Sequence, residues 1–418
     1  MRLVNGFLIF VLSASSTALP MRTRIRTVNS NSNTAARILD KEIDTLADIF
    51  GIDKSAEYQT TTDLPNTISK RNTIDSLQEP DILECNGHAE LCNRKFSNVS
   101  MVVAHNSPFV RPHNAASNQY LPVLSQLNDG IRGLTFQTHT KPKTSDIHLC
   151  HTSCNILDVG TLESYLTTVV SWLKTHPNEV ISIMMVNSNH IHPTAFIAPF
   201  TNSGMLPYVY TPSPNATTLD AWPTLDHMIR FNQRVVVTLD DGADEQKVPW
   251  LLYEFAYQWQ TPFSPTDPAF PCTQDRPMDE PLHISQDKMY MLNHNLNAEV
   301  KLFGQQILLP AIPLLDQTNA AQGNGSLGES VKACTEMWGR PPKWLLVDFY
   351  NRGDFEGSVF RVAAEANGVE YEKGSCCGKE EGKGAAEGYA EGVMDRVESM
   401  DGWIEGLIQD TRKILEQG

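Results

Sequence analysis

Two histidines stand where proton-transfer chemistry could be done. His105 closes the run Met-Val-Val-Ala-His-Asn-Ser-Pro (101 to 108), and His151 lies in His-Leu-Cys-His-Thr-Ser-Cys (148 to 154). Imidazole titrates near neutrality, so a pair at one site can take a proton from one oxygen and return one to another. Asp348, in Trp-Leu-Leu-Val-Asp-Phe-Tyr-Asn (344 to 351), is the third candidate. An acid among apolar and aromatic neighbours is costly to bury without a partner, which favours a functional role. His139 and Lys141 just past one apolar run, Asp240 beside Asp241 at the end of another, and His294 in Leu-Asn-His-Asn are expected substrate contacts. His148 and His151 do not read as a metal pair, because odd spacing on a strand sends the two side chains to opposite faces.

The elements that must carry these residues are short apolar runs ending in polar side chains, the pattern of buried parallel strands that deliver chemistry at their C-terminal ends. Seven strands are expected, near 101, 131, 147, 180, 235, 289 and 344, with Tyr208 to Tyr210 as a weak eighth. Between them, Thr161 caps a helical run from Leu162 to Leu173 that Pro177 closes, and a second helix is expected from Leu225 to Phe231. Alternating strands and helices imply a parallel sheet covered on both faces. Polar residues at nearly every strand's C-terminal end favour an irregular TIM β/α-barrel, and no glycine fingerprint follows the first strand to support a dinucleotide-binding sheet. Arg132 lies well before its strand's end and reads as a barrel-bottom ion pair. The proline-rich segment 259 to 277 should form a rigid loop at the barrel mouth.

Residues 1–18 have the layout of a secretory signal peptide, residues 19–80 read as a disordered leader with one short helix, residues 81–370 as the barrel domain, and residues 371–418 as a Gly/Glu/Lys-rich linker with a terminal helix. Export suits the eight cysteines. Close spacing pairs Cys85 with Cys92 and Cys150 with Cys154, leaving Cys272 with Cys334; adjacent Cys376 and Cys377 could bridge each other, bond elsewhere or stay free. Acceptor triplets for glycosylation begin at Asn98, Asn215 and Asn324. A net charge of −16 disfavours nucleic acid and strongly anionic membranes as partners. A soluble, secreted monomer with at most transient membrane-surface contact is expected.

Taken together, His-Asn-Ser-Pro, Gly-Ile-Arg-x-Leu, His-Leu-Cys-His-Thr-Ser-Cys, Leu-Asp-Val-Gly-Thr-Leu, Thr-Pro-Phe-Ser-Pro-Thr-Asp-Pro and Leu-Leu-Val-Asp-Phe-Tyr-Asn resemble secreted fungal members of the phosphatidylinositol-specific phospholipase C X-domain superfamily. The resemblance spans roughly residues 85 to 370. It implies a TIM-type barrel in which His105 deprotonates the attacking hydroxyl, His151 protonates the leaving oxygen and Asp348 orients His105, with Asn106 and Gln137 at the substrate. It also exposes departures. Where calcium-dependent relatives carry acids, and metal-independent ones an acid and an arginine, this chain has Thr135 and Gln137; on the strand at 180 to 186 it offers Met184 and Met185. Calcium asks for six or more oxygens including carboxylates, so no metal or other cofactor is expected. The reading is a calcium-independent phosphodiesterase acting on a phospholipid or small phosphodiester. The alternatives are a non-catalytic barrel binding an inositol or glycan head group, and glycerophosphodiesterase- or sphingomyelinase D-like activity.

Overall fold

In the computed structural model, residues 84–110, 117–213, 217–302, 305–371 and 376–377 are described. The expected signal peptide, the leader with its expected helix, the expected terminal helix and Asn215 lie outside them. Twelve strands are present among the described residues: β1 (Met101–Ala104), β2 (Gly133–Thr140), β3 (Ile147–His151), β4 (Leu157–Thr161), β5 (Ile181–Asn187), β6 (Val235–Leu239), β7 (Leu251–Tyr253), β8 (Gln258–Gln260), β9 (Met289–Asn293), β10 (Asn297–Leu302), β11 (Gln305–Pro310) and β12 (Trp344–Val347). Eight of them form a parallel path in the order β7-β6-β5-β2-β1-β12-β9-β8. Its two end strands follow each other in sequence, joined by the single helical turn Glu254–Tyr257. The result is an irregular TIM-type barrel, with a seam between β7 and β8 that no ladder laces.

Strand period two explains the two cores. Met101, Val103, Met184, Val236, Leu252, Met289, Met291, Trp344 and Leu346 pack together inside the barrel, and Trp344 Nε1 donates across it to Ser182 Oγ at 3.1 Å. The alternate residues, among them Val102, Leu134, Ile183, Val237 and Leu345, face outward onto the helices. Gly133 lies opposite Val103 in the β1–β2 register, and a Cβ there would come within 2.5 Å of a Val103 methyl, so only glycine fits. The helix Leu162–Thr175 begins as expected, with Thr161 Oγ1 accepting from Ser164 N. Arg132 donates to Glu179 at 2.7 Å, the ion pair expected for it.

Two strand assignments change and two barrel strands are added. The run at 147 is not a barrel strand: β3 pairs antiparallel with the end of β2 and with β4, forming a ribbon above the barrel. Tyr208–Tyr210 is not a strand either, since Leu206–Tyr208 is a 3-10 turn and only Val209 bridges to β6. The missing barrel positions are filled by β7 and β8, three residues each, too short to register as apolar runs. All eight cysteines are bonded, Cys85 to Cys92, Cys150 to Cys154, Cys272 to Cys334 and Cys376 to Cys377. Asn98 and Asn324 are exposed. No described helix is long and apolar enough to cross a membrane.

Candidate active site

His105 follows β1 directly and continues its ladder through a backbone bond to Val347 O, which brings its half-buried imidazole to the C-terminal face beside Asp348. Nδ1 lies 2.7 Å from Asp348 Oδ1. The protonation of the ring follows from its neighbours. Asp348 Oδ1 also accepts from Asn118 Nδ2 at 2.9 Å, which turns the Asn118 oxygen toward Asn106 Nδ2, 3.0 Å away. That same Asn106 nitrogen is 3.1 Å from His105 Nε2 and 3.2 Å from His151 Nε2. A donor facing Nε2 makes that nitrogen an acceptor, so neutral His105 carries its proton on Nδ1 and donates it to Asp348. The separation of the two Nε2 atoms is therefore bounded by two hydrogen-bond lengths.

Local backbone geometry holds each member. Asn106 adopts a left-handed conformation, φ 49°, which asparagine tolerates, and its N–H donates to Thr135 Oγ1 at 3.0 Å. Thr135, at an expected acid position, thus braces the turn that aims Asn106. Phe349, at φ 43°, turns the chain just after Asp348; its ring packs on Tyr120, and Asn319 Nδ2 donates to the Asp348 and Phe349 carbonyls. A bulky residue in that region costs on the order of 1–3 kcal/mol, so the surrounding bonds must over-determine it. His151 reaches the site from the β3–β4 ribbon, with its ring stacked on Phe109 at 5.2 Å. The Cys150–Cys154 bridge closes its turn, and Gln137 Oε1 accepts from Thr152 N at 2.8 Å.

The structure brings together His105, His151, Asp348 and Asn106, and gives the other candidates different work. Gln137 ties the ribbon to β2. Lys141 is paired with Asp158 at 2.8 Å. Burial works to raise the Asp158 carboxyl, but Lys141, the Gly160 N–H and His148 together hold it below the ordinary carboxylate range. His139, opposite His148 in the β2–β3 register, is buried, and burial lowers its proton affinity against the opposing bonds to Asn189 and the Cys150 backbone. His294 is a correction. It faces outward from the barrel, stacks on Phe270 at 3.6 Å and reaches Ser330 Oγ at 3.0 Å, and burial pushes it down to about 3. It stays neutral and packs a helix.

Asp240 belongs to a second polar cluster. It accepts from Asn187 N and lies 3.4 Å from Arg276, and burial raises its carboxyl. Glu254, fully enclosed with Gln258 and Gln260 donating to it, is pushed up to about 7 by burial and by Asp240. Reasoning from sequence misses Asn118, Asn295, Phe109, Glu254 and Arg276. Asn295 was within reach: Met289 and Met291 face the barrel interior, so strand alternation places Asn293 and Asn295 inward and His294 outward. Nothing local marks Asn118. The one described group of possible metal ligands, Cys150, Cys154 and Asp158, holds two sulfurs already bonded to each other.

Replacing Cys150 and Cys154 together by alanine should loosen this ribbon, lowering stability by about 1–3 kcal/mol for so short a loop. It should also raise the concentration of substrate needed for half-saturation; denaturant melts and initial rates would check both.

The fold is that of the phospholipase C-like phosphodiesterases, a parallel barrel that here carries two histidines and a buried carboxylate at its C-terminal face. The PI-PLC X family model matches residues 91–361, and the chain belongs to that family. An uncharacterized secreted protein of Arthroderma benhamiae is 48% identical over 318 residues, 76% of this chain and 71% of the relative. A PI-PLC X domain-containing protein 1 of the same fungus is 41% identical over 298 residues, 71% of this chain and 93% of the relative. Among solved structures, the phosphatidylinositol-specific phospholipase C of Listeria monocytogenes aligns with a TM-score of 0.43 at 12% identity, over 66% of this chain and 95% of that one.

Proposed function

We propose that this protein is an exported phosphodiesterase that cleaves by histidine acid–base catalysis without calcium. In this reading a substrate hydroxyl attacks phosphorus and gives its proton to His105 Nε2; the bond to the leaving oxygen breaks, and His151 protonates it. The observation that carries the reading is the single Asn106 nitrogen within hydrogen-bond reach of both Nε2 atoms. For His151 to donate, the Asn106 amide facing it must yield to the phosphate, whose negative charge then favours the imidazolium. That imidazolium also supplies positive charge, since Lys141 and Arg132 are already paired with Asp158 and Glu179. Calcium independence is supported by the donors on the strands: Thr135 braces Asn106, Gln137 holds Thr152, and Met184 and Met185 are buried in the two apolar cores. The Cys–Cys bonds and the relative named as secreted support export.

The test is a panel of phosphatidylinositol, sphingomyelin, lysophospholipid and glycerophosphodiester substrates offered to the purified protein with and without excess chelator. Cleavage of at least one, unchanged by chelator, is expected. Loss of activity restored by calcium would overturn the metal-free part. No cleavage anywhere on the panel would overturn the enzyme reading and leave a barrel that only binds head groups.

A further inference from the structure

We propose that Asn295 is a positioning residue for His105, presenting its side-chain oxygen to the Nδ1–H that also points at Asp348. The proposal rests on His105 being the general base. Asn295 follows β9 on the inward-facing alternation and is buried; His294 N bonds Leu346 O, and the Asn295 carbonyl accepts from Asn297 Nδ2, so the backbone that aims the side chain is fixed. Its Nδ2 lies 3.3 Å from His105 Nδ1. The Asp348–Asn118–Asn106 chain already assigns a proton to that Nδ1, so an amide nitrogen there would set donor against donor. Meanwhile Asn295 Oδ1 is buried with no hydrogen-bond partner among the described residues. The opposition of donors vanishes if the amide is turned half a revolution about its last bond, which the nearly identical shape of its oxygen and nitrogen allows. Oxygen then faces Nδ1–H, so the buried acceptor gains a donor.

Two acceptors on one N–H hold the ring more firmly than one. Asp348 approaches from β12 and Asn295 from β9, so the imidazole cannot swing about the Asp348 bond when substrate displaces the Asn106 amide from Nε2. Both acceptors favour the imidazolium that forms as the base takes its proton. Among the described residues, the charged or titratable groups facing the ring directly or through Asn106 are Asp348 and His151; Thr135 and Gln137 on β2 are neutral. Asn295 therefore tunes the base without adding charge.

The experiment is nitrogen NMR of histidine-labelled full-length protein, without substrate, following the His105 ring through a pH titration in the parent, Asn295→Ala and Asn295→Asp. Expected are an Nδ1-protonated neutral ring in the parent and a His105 midpoint lower by roughly half to one pH unit in Asn295→Ala, the equivalent of one ordinary hydrogen bond. Asn295→Asp, which offers only oxygens, should keep the tautomer and raise the midpoint. An Nε2-protonated neutral ring in the parent, an unmoved midpoint in Asn295→Ala, or loss of the tautomer in Asn295→Asp would each overturn the proposal. If Asn295→Ala does not fold, the parent and Asn295→Asp still decide it. No substrate is present, so a protein that cleaves nothing on the panel overturns the phosphodiesterase reading separately.

Discussion

His105→Ala lowers phosphodiester cleavage by at least about 10²-fold, and His151→Ala does the same, the scale on which a lost proton-transfer group is felt. The two differ in what they do to the fold. His105 Nδ1 is a donor to a buried carboxylate, so removing it leaves Asp348 with Asn118 on Oδ1 and nothing on Oδ2 among the described residues, at a cost of roughly 1–3 kcal/mol. His151 sits on the ribbon against Phe109, clear of the barrel core, and its loss should move the denaturation midpoint little. Replacing both histidines costs far less than the product of the single losses, because base and acid serve one step and the second loss falls on a step already broken. Initial rates and denaturant melts on the three variants check this. Two single variants within about threefold of the parent would remove both histidines from the chemistry.

The sequence discloses the barrel through its long apolar runs and hides it where strands are short or polar. β1, β5, β6, β9 and β12 are continuous hydrophobic stretches buried on both faces, and nothing else explains such runs separated by helices. β7 is only the three residues Leu251–Tyr253, too short to stand out as a strand, and in β8 Gln258 and Gln260 turn amides inward toward Glu254, which breaks the apolar pattern. β3 misleads in the opposite way. Ile147 and Leu149 are buried apolar residues of an antiparallel ribbon, and nothing local separates that pattern from a barrel strand. For the site, the histidines and Asp348 are legible because strand ends reveal which face they meet. Asn118, which orients Asp348, is not, because its role depends on a partner 230 residues away.

Asp348→Asn should cost at least about 10²-fold in rate while leaving stability nearly unchanged, and the contrast identifies the role of this carboxylate. The carboxylate does two things through one oxygen: Oδ1 accepts from His105 Nδ1–H and from Asn118 Nδ2. An asparagine can keep its oxygen there and preserve the tautomer, but the negative charge that stabilises the imidazolium is lost. Its new NH2 group then occupies the place of Oδ2, where no described residue offers a bond. Turned the other way, the NH2 opposes the Asn118 donor and requires an unprotonated Nδ1, which moves the proton to Nε2 and removes the base. Stability survives because a buried carboxylate is itself expensive, so neutralising it offsets much of the lost pairing. The pH dependence carries a sign. With the charge gone His105 holds its proton less tightly, so the acid limb of the activity profile shifts to lower pH, whereas a merely structural loss would lower the whole profile without moving it. Rates from pH 4 to 9 on parent and variant decide the matter, and a variant as active as the parent with an unmoved acid limb would show that His105 works without its carboxylate.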